Sequence, residues 1–402
     1  VVGGQGQYVD GLWTYPLPWA VYLLKTGDVA FVRANFSSEG PGGPSQPSLE
    51  DAAHAIAADR TGPGGTMEAT NDIDTQGYWT VDDFEALLGL AAYGYVADRL
   101  GERAEGKWAR QQYAGLLAAT STALETTVSQ DGQAYLPCSL FQSDAANRCV
   151  DPEDANWASP LGGWAWEGGL LGAPVSGPGV DLIDATYAWG FARLRGLLPP
   201  DTFGGYPGDY FSSGYNAAYG TAGLAGGPAD RSQGIRSFAF MIAESQSGPN
   251  SWWESSGTPT NDGPWIGEHP TSGQGSSPHA WGMAGADKVL LDSIAAQAAD
   301  GALVVGRGVP SSWLGQGSVG VTGFPTQDGR RVAVHISGGG ASVALVVSGD
   351  PTGRVLFELP AFVENIAAAS SGTVDEQTGT VALRAGVRQV TVTLRHRLAS
   401  EP

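Results

Sequence analysis

The sequence has little positive charge and no long hydrophobic run. Its 402 residues include 21 lysines and arginines against 41 aspartates and glutamates, which leaves a formal net charge of −20. Nucleic acids and anionic membrane surfaces are bound through Lys and Arg, so this balance argues against both as partners. No run of eighteen apolar residues occurs, so we expect no membrane-spanning helix.

Cysteine is also scarce, occurring only at Cys138 and Cys149 in one loop-like stretch. A pair this close can form a small disulfide ring, and we predict that it does, which indicates a secreted protein in an oxidising compartment. Two unrelated thiols are the alternative. No histidine or further cysteine lies near the pair, so we predict no metal site there, and we expect no cofactor.

Tryptophan and helical periodicity are confined to the first three quarters of the chain. All thirteen tryptophans lie between Trp13 and Trp313. We predict that Thr80 is the N-cap of a helix that ends at Gly101, with Asp83 completing a capping box. The predicted helices lie near residues 18–24, 29–60 with an interruption, 79–100, 104–128, 181–198, 212–224, 230–246 and 278–298.

After Trp313 the hydrophobic pattern changes to a period of two residues, which is typical of strands with one buried face. The predicted strands cover residues 331–336, 341–347, 355–359, 381–384 and 389–394. We therefore predict a helical domain at residues 1–312 and an antiparallel β-sandwich at residues 313–402.

In the helical part, short turns alternate with long loops at about residues 61–78, 129–158 and 247–277. Long loops that enter the same end of successive helices converge on one face, as in an (α/α)6 toroid of helical hairpins. Such a toroid has twelve helices, whereas the sequence predicts roughly nine. We therefore expect the first helices on an upstream segment or on a companion chain.

The long loops concentrate carboxylates and aromatic side chains, the residue types that bind sugar rings and hydrolyse glycosidic bonds. In the first loop Asp74 precedes Trp79 by five residues. In the 247–277 loop and the helix after it, Glu254 follows two tryptophans and His279 precedes Trp281. Helix capping, loop formation and core packing are the structural alternatives for these side chains. Other candidates for binding substrate are Asp10, Trp13, Asp72, Trp166, Glu167, Trp252 and Trp253.

Three stretches resemble the six-hairpin glycosidases, the group that includes glucoamylase, trehalase, processing α-glucosidase and α-L-rhamnosidase. Residues 74–79 look like the trehalase and processing-glucosidase stretch in which a catalytic Asp precedes a Trp by five residues. Trp-Trp-Glu at 252–254, with Ser-Pro-His-Ala-Trp-Gly at 277–282, is similar to the base-bearing loop and the last helix. Residues 16–36 resemble a helix and turn common in the rhamnosidase branch.

The resemblance implies an inverting, exo-acting glycoside hydrolase for α-linked oligo- or polysaccharides. It implies Asp74 as general acid and Glu254 as general base, with Glu268 competing for the second role. A polysaccharide lyase and a non-catalytic sugar-binding protein are the alternatives. Lyases neutralise a uronate, yet residues 61–98 and 247–277 contain no Lys or Arg, which argues against an anionic substrate.

Overall fold

The chain divides into two compact units, Val1–Trp189 and Gly190–Pro402. A computed structural model describes residues 10–37, 47–71, 76–141, 170–173, 182–189 without 184 and 187, 211–256 without 229 and 245, 275–315, 317–351 and 353–398. Within that part, no helix has the length and hydropathy needed to cross a membrane. The predicted division after residue 312 stays a prediction.

The described part of the first unit is helical. Its helices are α1 (Asp10–Trp13), α2 (Pro16–Thr26), α3 (Val29–Arg33), α4 (Leu49–Ala58), α5 (Thr80–Leu100) and α6 (Arg103–Asp131), with a short 3-10 turn at Pro63–Gly65. The described positions between 182 and 189 are helical as well, as the predicted helix at 181–198 requires. The predicted helix at 29–60 corresponds to α3 and α4.

Helix α5 is the centre of the first unit because it is buried on almost every side. It ends as predicted at Gly101, whose left-handed conformation (φ 82°) lets its N–H reach Ala97 O. The prediction that Thr80 caps the helix with Asp83 is wrong. The N-cap is Trp79, and the Thr80 hydroxyl donates instead to Pro137 O at 2.6 Å.

The described part of the second unit combines helices with two five-stranded sheets and two short two-stranded ones. Its helices are α7 (Ser213–Ala225), α8 (Arg231–Glu244), α9 (Ala280–Ile294) and α10 (Ser311–Gly315). The strands are β1 (Phe211–Ser212), β2 (Gln246–Gly248), β3 (Ser251–Trp252), β4 (Ser255–Ser256), β5 (Ala295–Gln297), β6 (Leu303–Val305), β7 (Ser318–Pro325), β8 (Arg331–Gly339), β9 (Ser342–Gly349), β10 (Val355–Glu358), β11 (Ile366–Ala369), β12 (Thr373–Asp375), β13 (Thr380–Leu383) and β14 (Gln389–Leu394).

Two five-stranded sheets enclose a common hydrophobic core. Their strand orders are β12-β13-β10-β6-β5 and β11-β14-β9-β8-β7. Phe357 and Val381 of the first sheet belong to the same buried cluster as Val334, Leu345 and Val392 of the second, which is the arrangement of a β-sandwich. The pairing is antiparallel as predicted, except that β6 and β10 are parallel.

The predicted helix at 278–298 is too long by one turn. It ends at Ile294, and Ala295–Gln297 form strand β5 instead. All three residues are buried against β6, so pairing with a neighbouring strand overrides their helix propensity. The described helices are compatible with a helical domain, and the closed toroid stays a prediction.

Candidate active site

The loop that carries Asp72 and Asp74 is closed at its base. Thr70 and Gly77 exchange two backbone hydrogen bonds of 2.9 Å, and the Thr70 hydroxyl donates to Asp82 Oδ2 at 2.8 Å. Asp82 lies in the first turn of α5, so both ends of the loop are held at the start of this helix. Asp72 and Asp74 lie outside the described residues.

Asp83, a second acid in the first turn of α5, is fully buried, and its polar neighbours offset only part of the cost of burying its charge. Thr120 Oγ1 donates to Asp83 Oδ1 at 2.6 Å. Burial raises the pKa of the Asp83 carboxyl to about 7, although Thr120, the Met67 backbone and the Arg60 charge act in the opposite direction. Through these hydrogen bonds Asp83 connects α5 to α6 and to the segment before Thr70. The sequence pattern did not reveal this role.

Three of the tryptophans proposed as sugar platforms are core residues. Trp13, Trp79 and Trp252 are at most 3% exposed. The Trp13 indole donates to Asp59 Oδ2 at 2.9 Å, and the Trp252 indole donates to Met241 O at 2.7 Å. Rings buried to this degree have no open face for a ligand, so the structure places them in the alternative role, core packing.

Glu254 lies between β3 and β4 with an exposed side chain. Its Oε2 accepts from the Ser276 N–H at 3.0 Å and from Ser276 Oγ at 3.3 Å, while its backbone N–H donates to Ser276 O at 2.9 Å. A Cβ at Gly275, where φ is +74°, would lie 2.4 Å from Oε2, so this position requires glycine. Among the described residues the side-chain hydrogen bonds fall on Oε2, which leaves Oε1 for a water or a ligand.

His279 is the N-cap of α9 and is held in one orientation. Its Nδ1 accepts a hydrogen bond from the Gly282 N–H at 3.3 Å and lies 2.8 Å from Ser213 Oγ. Ser213 is the first residue of α7 and is followed there by Gly214. Burial lowers the pKa of His279, and the charge of Glu254 opposes this shift. Because Nδ1 is an acceptor, the neutral ring carries its proton on Nε2 and offers a single N–H donor there.

Trp281 is the exposed aromatic side chain of this cluster. It is 42% exposed, and its ring centre lies 5.8 Å from that of His279 in an edge-to-face arrangement. The ring packs on the backbone of Gly214, where an added Cβ would lie 2.6 Å from a ring atom. One side of the indole is thus supported by α7 while part of the ring remains accessible, as stacking on a sugar requires.

The structure therefore brings together Glu254, His279 and Trp281, with Ser213 and Ser276 as supports that the sequence analysis missed. Ser213 carried no local signal, because its partner His279 is 66 positions away. Trp253 is half-buried beside Glu254. The side chains of Asp10, Trp166, Glu167, Glu268 and Cys149 lie outside the described part. Cys138 is buried, and the disulfide stays a prediction.

The comparisons with known proteins are sparse. No protein-family model and no curated protein sequence matches this chain. It is similar to the solved structure of Streptomyces avermitilis α-L-rhamnosidase complexed with L-rhamnose, at 16% identity and a TM-score of 0.46. The match covers 98% of this chain and 34% of that one, so the chain spans about a third of that protein's length. A likeness this distant says nothing about activity.

Proposed function

We propose that this chain carries the active site of a glycoside hydrolase that acts on neutral, α-linked oligo- or polysaccharides from their ends. The observation that carries the proposal is the cluster of an exposed carboxylate, a neutral imidazole and a supported, accessible indole at Glu254, His279 and Trp281. These three groups supply a base, a hydrogen-bond donor and an apolar platform, which are the elements of a sugar-hydrolysing site.

Each group has a role in the proposed reaction. Glu254, oriented by Ser276, acts as general base, and its Oε1 accepts a proton from the attacking water. The Nε2–H of His279 donates to a sugar hydroxyl, and Trp281 stacks on the ring. Asp74 is the proposed general acid because it precedes the start of α5 in a loop whose base is closed by Thr70 and Gly77.

The distribution of charge supports a neutral substrate. Residues 61–98 and 247–277 contain no Lys or Arg, and the protein as a whole carries a net charge of −20. A lyase acting on a uronate would need a cation or a neutralising group near the carboxylate of its substrate. The absence of Lys and Arg from these two segments therefore favours hydrolysis of neutral sugars.

The first experiment incubates the protein with a panel of α- and β-linked neutral glycans and follows the anomer of the product by NMR. We expect release of sugar from chain ends with inversion at the anomeric carbon. An unsaturated product would instead indicate a lyase. Saturable binding without turnover on any glycan would indicate a sugar-binding protein.

The second experiment tests the two carboxylates. Glu254→Gln and Asp74→Asn should each reduce kcat at least 100-fold while the circular dichroism spectrum stays that of the wild type, because each keeps its shape but cannot transfer the proton. Glu268→Gln is the matched control in the same loop. Loss of turnover in Glu268→Gln but not in Glu254→Gln would move the base to Glu268. Full activity in both glutamate variants would refute the two-carboxylate mechanism.

A further inference from the structure

Helices α4 and α6 of the first unit bring together three side chains of types that ligate metals, none of which belongs to the candidate active site. Glu50 and His54 are four positions apart on α4 and therefore share one face of the helix. Glu105 lies in the first turn of α6. One ligand atom from each of the three side chains lies within 4.8 Å of the other two, and this is the one such group among the described residues.

The spacing of these atoms suits a small divalent cation. His54 Nε2 lies 3.1 Å from Glu105 Oε2. Around a tetrahedral ion with bonds of about 2.0–2.1 Å, ligand atoms stand roughly 3.3–3.5 Å apart, so only small side-chain movements are needed. The side chains of His54 and Glu105 are 46% and 26% exposed, which leaves room for water to complete the coordination.

Two neighbouring aromatic residues hold the ligands in place. The His54 ring stacks on Trp108, with ring centres 4.0 Å apart and planes 7° apart. The buried Tyr93 hydroxyl donates to Glu105 Oε2 at 2.9 Å. Residues that contact the ligands but not the metal itself fix the orientation of metal-binding side chains in proteins.

The electrostatic environment also favours a cation. The nearby guanidinium of Arg33 is bonded to Glu102 at 3.2 Å. With a neutral imidazole, the three ligands carry two negative charges.

We propose that Glu50, His54 and Glu105 form a binding site for a divalent first-row transition-metal ion, with Zn²⁺ as its representative. These ions bind well to an imidazole combined with carboxylates. Ca²⁺ instead takes six to eight oxygen ligands and does not prefer a ring nitrogen. Because the ligands come from two helices that are separate in sequence, the bound ion would link α4 to α6. The fold alone assembles this site, since Glu105 lies 51 positions beyond His54.

The test is isothermal titration calorimetry of the full-length, metal-free protein, with Zn²⁺ in one experiment and Ca²⁺ in a second. We expect one equivalent of Zn²⁺ to bind to this site and Ca²⁺ not to bind there. His54→Ala and Glu105→Gln should each weaken that binding at least tenfold. Tyr93→Phe should weaken it roughly tenfold, and by less than the loss of either ligand, because it removes only the partner behind Glu105.

Glu125→Gln is the matched control, because Glu125 is an exposed residue of α6 outside the ligand set, and the Zn²⁺ affinity of this variant should equal that of the wild type. Circular dichroism checks that each variant folds, and Glu50→Gln replaces any variant that does not. The absence of saturable Zn²⁺ binding, or the same affinity in the double variant His54→Ala/Glu105→Gln, would overturn the proposal. His54 and Glu105 would then form an ion pair only.

Discussion

At the scale of single residues, the contact between Trp281 and Gly214 can be tested by one methyl group. In Gly214→Ala the new Cβ would lie 2.6 Å from the indole, so the ring must move. Because the substitution also favours helix formation in α7, stability should change little. We expect KM for a cleaved glycan to rise roughly tenfold with a smaller change in kcat, as for a group that binds substrate and transition state alike.

The control for this prediction is Gly227→Ala, because nothing lies within 4 Å of a Cβ at that position. Its KM should equal that of the wild type. Michaelis–Menten kinetics give KM for both variants and the wild type. An unchanged KM in Gly214→Ala would mean that Trp281 does not bind the substrate.

The buried carboxyl of Asp83 predicts an unusual dependence of stability on pH. Its pKa is raised from 3.8 to about 7 in the folded state, so the fold favours the protonated form. The cost of burying the charge is fully present above pH 7 and disappears as the pH falls towards 3.8. Lowering the pH from 8 to 5 should therefore increase the contribution of Asp83 to the free energy of unfolding by about 2–3 kcal/mol.

Urea unfolding of the wild type and of Asp83→Asn at pH 5 and pH 8 measures this contribution. Asn cannot ionise, so the difference in stability between the two proteins should change by that amount. A difference between wild type and Asp83→Asn that is the same at both pH values would contradict the prediction.

At the scale of secondary-structure elements, a buried ion network joins helix α8 to strand β10 in the second unit. Glu358 lies 2.7 Å from Arg307 Nε and 3.5 Å from Arg231 Nη2, and the side chains of Glu358 and Arg231 are each 4% exposed. Thr380 also donates to Glu358 Oε1 at 3.0 Å. Removing the acid would leave two guanidinium groups without their counter-charge in the interior.

We therefore expect Glu358→Gln to lower the free energy of unfolding by about 3–5 kcal/mol. Glu376→Gln is the control, because Glu376 forms an exposed pair with Arg395 and should contribute less than about 1 kcal/mol. Chemical denaturation followed by tryptophan fluorescence measures both. Equal effects of the two substitutions would mean that the buried network does not stabilise the fold.

The elements that could be predicted from the sequence are those with local signals. Strand β14 has the predicted bounds because its residues alternate strictly between buried and exposed. Strands β5 and β6 were missed because short, fully buried strands show no alternation. In the candidate active site, too, only the residues with a local sequence signal could be predicted. Glu254 and His279 lie in recognisable local sequences, whereas the support from Ser213 and the burial of Trp13 depend on residues far away in the chain.

At the scale of the whole molecule, the excess of negative charge should select among substrates. A net charge of −20 repels anionic glycans over a distance set by the ionic strength, with a Debye length of about 30 Å at 0.01 M salt and about 8 Å at 0.15 M. A neutral glycan experiences no such repulsion. The proposed function therefore predicts different salt dependences for two substrates that differ only in charge.

The measurement compares KM for a neutral oligosaccharide with KM for the same oligosaccharide carrying one uronate, at both ionic strengths. For the neutral substrate, KM should change less than about twofold, because its binding depends on stacking and hydrogen bonds. For the uronate substrate, KM should be higher at 0.01 M salt and fall several-fold at 0.15 M, because salt screens the repulsion. If the uronate substrate instead binds more tightly at low salt, the site presents positive charge to its substrate. That result would favour the lyase alternative, since a lyase has to neutralise the carboxylate of the sugar that it cleaves.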